Sequence, residues 1–599
     1  MRNPKKMNVS EIKSFLRLHS IALVFSLVVG VLSVLPTVLA PLSIGDEYKG
    51  IQFLYLNDET TYRSRIHEIL DGYPSVASPF LYEYKNGASI VPPINEFFYA
   101  IPALAFGLSG AIIFAKFFFP LILFALVYFL VYGLLSSIAL QTRRLVAIAA
   151  GVLITLGYDL VDIPLLQSIL LGDVRSHLLI WTRLVNPITG VLLSFSTFLL
   201  SWKIFQGKLG VRGVILAIPL ALSVGYFFSF GVSYAFVGML TIISLAQREY
   251  KIASIFLLAV LVSFVLDASY WYQLLTSMSG EEGRALSLKN GMYFTHQIVV
   301  NKIVLLSTLA AGGLFIFQRY VRVNDVRTVV REWQFIAALI ATAWIVFGQQ
   351  VVTGRTVWAD HFVQFTIPMM IVALFVGGTI VFSARIPKTW TLLVSSVIFV
   401  SVTFGVYSTA SYRWEISDYS RQQESYGEIV SWLNLHAEPD CVVLSREWNE
   451  EFERLLPGYT HCNVYNTQYA YSVVPKERVL DNFLLRLRLI GVSSQDVESY
   501  LYADENDVRG YFFENWDQLY MKTQGRDEWL TAKVAYLTDE YNRFLKEDLS
   551  GQIRKYKVDY IYAEDPFSEK MLDEISGISV ATSTENFILY RLDSPLFGN

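Results

Sequence analysis

Long apolar runs alternate with short basic stretches over the first two thirds of the chain. The first run, 21–40, follows the basic start MRNPKKMNVSEIKSFLRLHS. Val38-Leu39-Ala40 would suit a signal peptidase, but a signal's apolar region is only about 7–15 residues long, so the run reads as a retained first span. The stretch from Glu96 to Leu140 is almost unbroken in apolar character. Two full spans there would carry Arg143 and Arg144 to the side opposite the other basic clusters, against the cytoplasmic excess of Lys and Arg. The pattern therefore predicts a short interfacial helix over PPINEFFYAIPALAFGLSG and one span over 111–135. Further runs occupy 145–158, 188–202, 214–228, 232–243, 252–268, 298–317, 335–347, 362–382 and 391–407. At ~20 residues per helix they amount to about eleven passages. The pair 214–228 and 232–243 is expected to form a short hairpin turning at Ser229-Phe230-Gly231.

The basic clusters then share one side: Arg143 and Arg144; Lys203, Lys208 and Arg212; Arg248 and Lys251; Arg319, Arg322, Arg327 and Arg331; Arg385 and Lys388. An odd number of passages puts the N-terminus in the cytoplasm and the C-terminus outside, most simply across a plasma membrane. From Ser411 the chain becomes much richer in charge. DCVVLSREW, KYKVDYIYAED and ENFILYRL have the composition of buried strands. Residues 477–490, 494–502 and 528–546 have helical spacing. The fold expected is an α-helical polytopic membrane protein, 1–410, with a soluble C-terminal α/β domain, 411–599, and a first outside loop at 43–95. Both cysteines, Cys441 and Cys462, stand at the heads of strand-like runs. Outside the cytoplasm they are free to pair, and two reduced thiols are the alternative.

Composition narrows the class. Charged residues are 17% of the chain, against about 25% in a soluble domain. The formal net charge is −4, so no global basic field favours nucleic acid. The sequence contains no phosphate-binding loop, zinc-ligand spacing or nucleophile elbow.

The first outside loop holds the most informative local pattern, NDETTYRSRIHEILDGYP. Tyr62, Ile66, Ile69 and Leu70 recur at one helical face. Asn57 is placed to cap the helix, Gly72 and Pro74 to end it, and Asp58 and Glu59 fall in its first turn. Acids there complement the helix dipole, worth roughly 0.3–1 kcal/mol each, with no functional role required. A second acidic pair, Asp46 and Glu47 in GDEYKG, directly follows the first span, where an interfacial turn is the simple explanation.

A basic start, one span and then a loop headed by DETTY resemble the GT-C glycosyltransferases, multi-spanning enzymes that take sugar from polyprenyl-phosphate or -diphosphate carriers. The class includes protein O-mannosyltransferases, lipid A aminoarabinose transferases and oligosaccharyltransferase subunits. RIHEILDGYP and YEYKNGASIVPPINEFFYAI extend the likeness over residues 1–140; the remainder is similar in topology alone. The resemblance implies transfer of a sugar from a polyprenyl-phosphate donor to a glycan, lipid or protein acceptor, with membrane lipid around the site. It implies Asp58 as base, with Glu59 beside it and Tyr62 next in the motif, and leaves Asp46 and Glu47 as the competing pair. A carboxylate within hydrogen-bond reach takes the acceptor's proton, and cations neutralise the departing phosphate. The candidates for that second role are Arg355 and His361 in GQQVVTGRTVWADHF, with Arg175 and Arg183 in LGDVRSHLLIWTRLVNPITG. Ordinary interfacial ion pairs account for the same residues equally well. No metal ligands are assigned, and a divalent metal stays an open option. The alternative function is a non-enzymatic transporter or envelope-polymer assembly protein. A transporter would need ionisable residues deep within several spans, whereas the acids here cluster at span ends.

Overall fold

The structure is a computed structural model that describes residues 9–55, 57–87, 91–289, 292–321, 329–447, 449–467, 474–514 and 526–593. Arg322 and Arg327, and the side chain of Asn57, lie outside the described residues. The chain divides into two compact units. One comprises 1–44, 109–268 and 295–417; the other comprises 45–108, 269–294 and 418–599.

The first unit is helical. Among the described residues, eight helices are long and apolar enough to cross a membrane, and Tyr250–Leu266 joined to 268–276 through a 61° bend makes a ninth. Leu140–Thr155 and the apolar run Gly210–Gly225 are shorter. Each of the expected apolar runs is thus helical over most of its length. The helix Ile94–Leu134 breaks at Gly107, whose φ of 67° and ψ of 166° fall outside helical geometry. Glycine meets no Cβ penalty there, and the break separates the expected interfacial segment from the span after it. The hairpin turn differs from expectation. The chain is extended at Tyr226 (φ −147°, ψ 115°), and one helix, Phe227–Ala246, runs through Ser229-Phe230-Gly231. Ser229 explains the shift: its hydroxyl donates to the carbonyls of Ser223 and Tyr226, both at 2.8 Å, closing the new helix's first turn.

Small residues let these helices approach. A Cβ on Gly30 would lie 2.8 Å from the Phe117 carbonyl, and one on Gly405 2.9 Å from Leu156. Close backbone approach of this kind drives association where lipid is as apolar as the side chains. Basic side chains cap one set of helix ends. Arg143 lies 3.4 Å from the centre of the Tyr132 ring, and Tyr128, one turn earlier, bonds His19 near the chain's start at 2.8 Å. Arg331 donates to the Phe205 carbonyl and pairs with Glu249 at 2.6 Å. Successive helices therefore bring the Lys- and Arg-bearing turns to one end. The helix Val9–Ile44 begins at that end, and residue 45 continues from the other.

The second unit carries a five-stranded sheet. Its strands are β1 (Val442–Ser445), β2 (Asn463–Val464), β3 (Tyr560–Ala563), β4 (Ile578–Ser583) and β5 (Ile588–Leu592), in spatial order β2-β1-β3-β5-β4. β1 pairs in parallel with β2 and β3, while β5 is antiparallel to β3 and β4. All four residues of β1 and of β3 are buried, as parallel strands covered on both faces require. One face packs on Ile429, Val430, Leu433, Phe452 and Leu456. The other packs on Phe483, Leu485, Val534, Leu537 and Tyr541. The helices Lys476–Leu489, Val497–Ala503 and Arg526–Phe544 fall where helical spacing predicted them.

Cys441 and Cys462 form a disulfide that joins the heads of β1 and β2 across a sequence separation of 21. A closed loop of that length removes about 3 kcal/mol of unfolded-chain freedom. Replacing both cysteines with serine is expected to lower stability by about that amount. Hydrogen exchange should localise the loss to the sheet, and unchanged protection of β1 and β2 would contradict it.

Candidate active site

The second unit builds its site from the approach to the acid-headed helix, Asn57–Leu70. Residues 49–53 are pinned to the helix Ile416–His436. Gln423 accepts from the Lys49 and Ile51 amides at 3.0 and 3.2 Å and donates to the Ile51 carbonyl at 2.8 Å. Tyr419 donates to the same carbonyl at 2.7 Å, and its ring meets Phe53 edge-on. A side chain on Gly427 would run into Lys49. The carboxylate of Glu59, itself buried, accepts from the Tyr55 amide at 3.1 Å, a bond that draws the preceding chain onto the helix's first turn. Asp58 stands beside it, half-buried.

The body of this helix is lined with buried charge. Arg63 donates to the Gly458 carbonyl at 2.9 Å and to Gln52 at 3.1 Å, with its guanidinium over the Tyr459 ring. Arg65 pairs with Glu96 at 2.5 Å, and both side chains are only 2% exposed. Glu68 meets Lys85 at 3.3 Å, and Lys85 continues to Asp440 at 2.5 Å. Tyr73 donates to the second oxygen of Asp440 at 2.7 Å. Burial pushes the Glu68 carboxyl up to about 7 in spite of Lys85. Burial also acts to raise Asp440, but hydrogen bonds from Lys85 and Tyr73 outweigh it and hold that carboxyl below its ordinary value. The helix lies directly on a second one, Glu450–Tyr459, where Gly458 faces Ser64 and Arg63.

The remaining candidates are distributed as follows. Asp46 and Glu47 form an exposed helical turn, and Glu47 accepts from Ser420. Tyr62 is half-buried on the acid-headed helix. Arg175, Arg183, Arg355 and His361 all belong to the first unit. Arg175 is exposed and stands over Trp414 at 5.8 Å. Arg183 is half-buried beside the single turn Ile180–Thr182. Arg355 is exposed at the start of the short strand Arg355–Val357. His361 stacks between Phe228 and Trp358, with ring centres 5.1 and 5.4 Å away. Two neighbouring acids have local partners: Asp159 bonds His177 at 3.0 Å, and Asp162 caps the helix Ile163–Leu171.

Sequence reasoning passed over Lys85, Glu68, Asp440 and the group His67, Asp71 and His461. The i,i+4 spacing of His67 and Asp71 was a readable signal. His461 and Asp440 come from nearly 400 positions away, and no local pattern could bring them in.

The buried Glu68 gives the site a pH signature. Its carboxyl holds a proton up to about 7 in the folded protein, against 4.5 ordinarily. Between those values the folded state binds more protons than the unfolded state, so stability falls as pH rises from about 5 to about 8. Glu68→Gln removes that slope. The variant's melting temperature is expected to gain on the wild type's across this range, and a pH-independent difference would contradict the assignment.

No family model matches the chain, and no curated protein does. Among solved structures it is similar to the oligosaccharyltransferase of Archaeoglobus fulgidus in complex with Zn and sulfate. The identity is 13% and the TM-score 0.41, over 90% of this chain and 68% of that chain. The same organism's oligosaccharyltransferase AglB, in complex with an inhibitory peptide and a dolichol-phosphate, is 12% identical with a TM-score of 0.43, over 93% and 70% of the two chains. The form tethered to an acceptor peptide containing the NVT sequon is 12% identical with a TM-score of 0.45, over 92% and 70%.

Proposed function

We propose that the protein is a membrane glycosyltransferase that moves a sugar from a polyprenyl-phosphate donor to an extracytoplasmic acceptor. The observation that carries this reading is the acid-headed helix. It begins at Asn57, after the first helix Val9–Ile44 and a short polar approach, and is held by buried ion pairs within its own unit. Rigid support for a reacting group favours catalysis, because proton transfer depends on the group's distance and direction. The resemblance of DETTY to the GT-C motif supports the same conclusion.

In this mechanism Asp58 accepts the proton that an acceptor hydroxyl or amide loses as it attacks the anomeric carbon. Glu59 holds the approach strand through the Tyr55 amide and so fixes where Asp58 stands. The lipid phosphate leaves as an anion, and Arg355 is the leading group to receive it, since its planar fork of donors suits phosphate oxygens. Arg175, Arg183 and His361 are secondary candidates. The N-terminus is cytoplasmic, the sheet-bearing unit lies outside, and the plasma membrane is the proposed location.

The test is transfer by purified protein from labelled polyprenyl-phosphate sugars. Asp58→Asn is expected to lower the rate by about 10²–10⁴-fold, the usual worth of a general base. Equal activity of Asp58→Asn and wild type would remove Asp58 from the mechanism. Loss in Asp46→Asn alone would move the base to the earlier acidic pair.

A further inference from the structure

We propose that His67, Asp71 and His461 bind a divalent transition metal of the Zn²⁺ type, at the opposite end of the acid-headed helix from Asp58. All three lie in the sheet-bearing unit. One ligand atom from each comes within 4.8 Å of the others. Asp71 Oδ1 is 2.6 Å from His461 Nδ1, Asp71 Oδ2 is 3.9 Å from His67 Nδ1, and the two imidazole centres are 5.0 Å apart. Tetrahedral zinc, with bonds of about 2.0–2.1 Å to nitrogen and oxygen, sets its ligand atoms ~3.3 Å apart. The Asp71–His461 pair is already within that spacing, and His67 Nδ1 is engaged by the Pro457 carbonyl, so His67 would offer Nε2 and the site closes by rotation of these neighbouring side chains.

Each ligand is held by something other than the metal. His67 and Asp71 are four residues apart at the end of one helix, so they share a face. The helix stops there because Gly72, with φ +97°, turns the chain away. The Pro457 carbonyl, 2.9 Å from His67 Nδ1, orients that ring, as an outer-shell carbonyl does for a metal-bound imidazole. His461 adjoins Cys462 of the disulfide, and its carbonyl accepts from the Asp440 amide at 2.9 Å. Two imidazoles and a carboxylate suit zinc and its neighbours better than calcium or magnesium. The His67 and Asp71 side chains are each 15% exposed and that of His461 is 56% exposed, which leaves an entry path and room for a water ligand.

Position separates this site from the proposed base. His67 follows Asp58 by nine helical steps, ~13.5 Å along the axis. The bound ion joins the end of the acid-headed helix to the turn after Glu450–Tyr459. It ties two segments of the unit together and stays away from the transferring sugar.

The test uses full-length protein purified without a histidine tag, stripped with chelator and titrated with Co²⁺. One equivalent should develop the visible absorption of a tetrahedral nitrogen–oxygen site, and Zn²⁺ should displace it. Outer-shell changes alone weaken metal sites about 10–100-fold, so Asp71→Asn and His461→Ala should each weaken binding by at least about tenfold. His436→Ala, an exposed histidine on another helix, should bind as wild type does. Zn²⁺ should also raise the melting temperature of wild type and not that of His461→Ala. No saturable band in wild type, or full affinity in the Asp71→Asn/His461→Ala double variant, overturns the proposal. None of these readouts depends on glycosyl transfer.

Discussion

A charge removed from water must meet an opposite charge or a full set of hydrogen bonds, and the acid-headed helix obeys that constraint along its length. Arg63, Arg65 and Glu68 are all buried, and stranding any one of them would be costly, since breaking a buried pair costs about 3–5 kcal/mol. Their partners are Gly458, Gln52, Glu96 and Lys85, with Asp440 behind Lys85. Each of these belongs to the same compact unit as the helix. The segment after the first span is therefore an integral part of the sheet-bearing unit, built against near neighbours such as Glu96 and Lys85 and against Gly458 and Asp440 from far along the chain. This accounts for a polar helix in so apolar a protein: its charges are the fastening.

The same pattern shows what the sequence could and could not convey. Apolar spacing gave a helix over the right residues, with Ile66 fully buried on the expected face. That spacing does not foretell that Arg63 and Arg65 are more deeply buried than Ile69 or Leu70. The apolar spans were legible because hydrocarbon demands a long uninterrupted run. The turn at Tyr226 was not, because a serine-closed first turn has no hydropathy signal. In the sheet, VVLS and YIYA announced themselves by being apolar throughout. β2 is two residues long and β4 is largely exposed, so neither carries such a run.

The candidate residues divide along similar lines. Asp58 and Glu59 were readable as first-turn acids, but the bond from the Tyr55 amide to Glu59 depends on how the approach strand is pinned by Gln423 and Tyr419. In the helical unit, His361 stacks between two aromatic rings and His177 is occupied with Asp159. These are roles that residue identity alone does not distinguish from phosphate binding.

The account stands on the sidedness of the acid-headed helix, and labelling of single cysteines in intact cells tests that directly. Cys441 and Cys462 are joined to each other and do not react with a maleimide. Tyr48→Cys and Lys208→Cys, both at exposed positions, supply the probes. A membrane-impermeant maleimide is predicted to label Tyr48→Cys at once and Lys208→Cys only after the membrane is opened. Labelling of Lys208→Cys in intact cells with Tyr48→Cys protected would place the acids on the wrong side for an extracytoplasmic transfer and contradict the account.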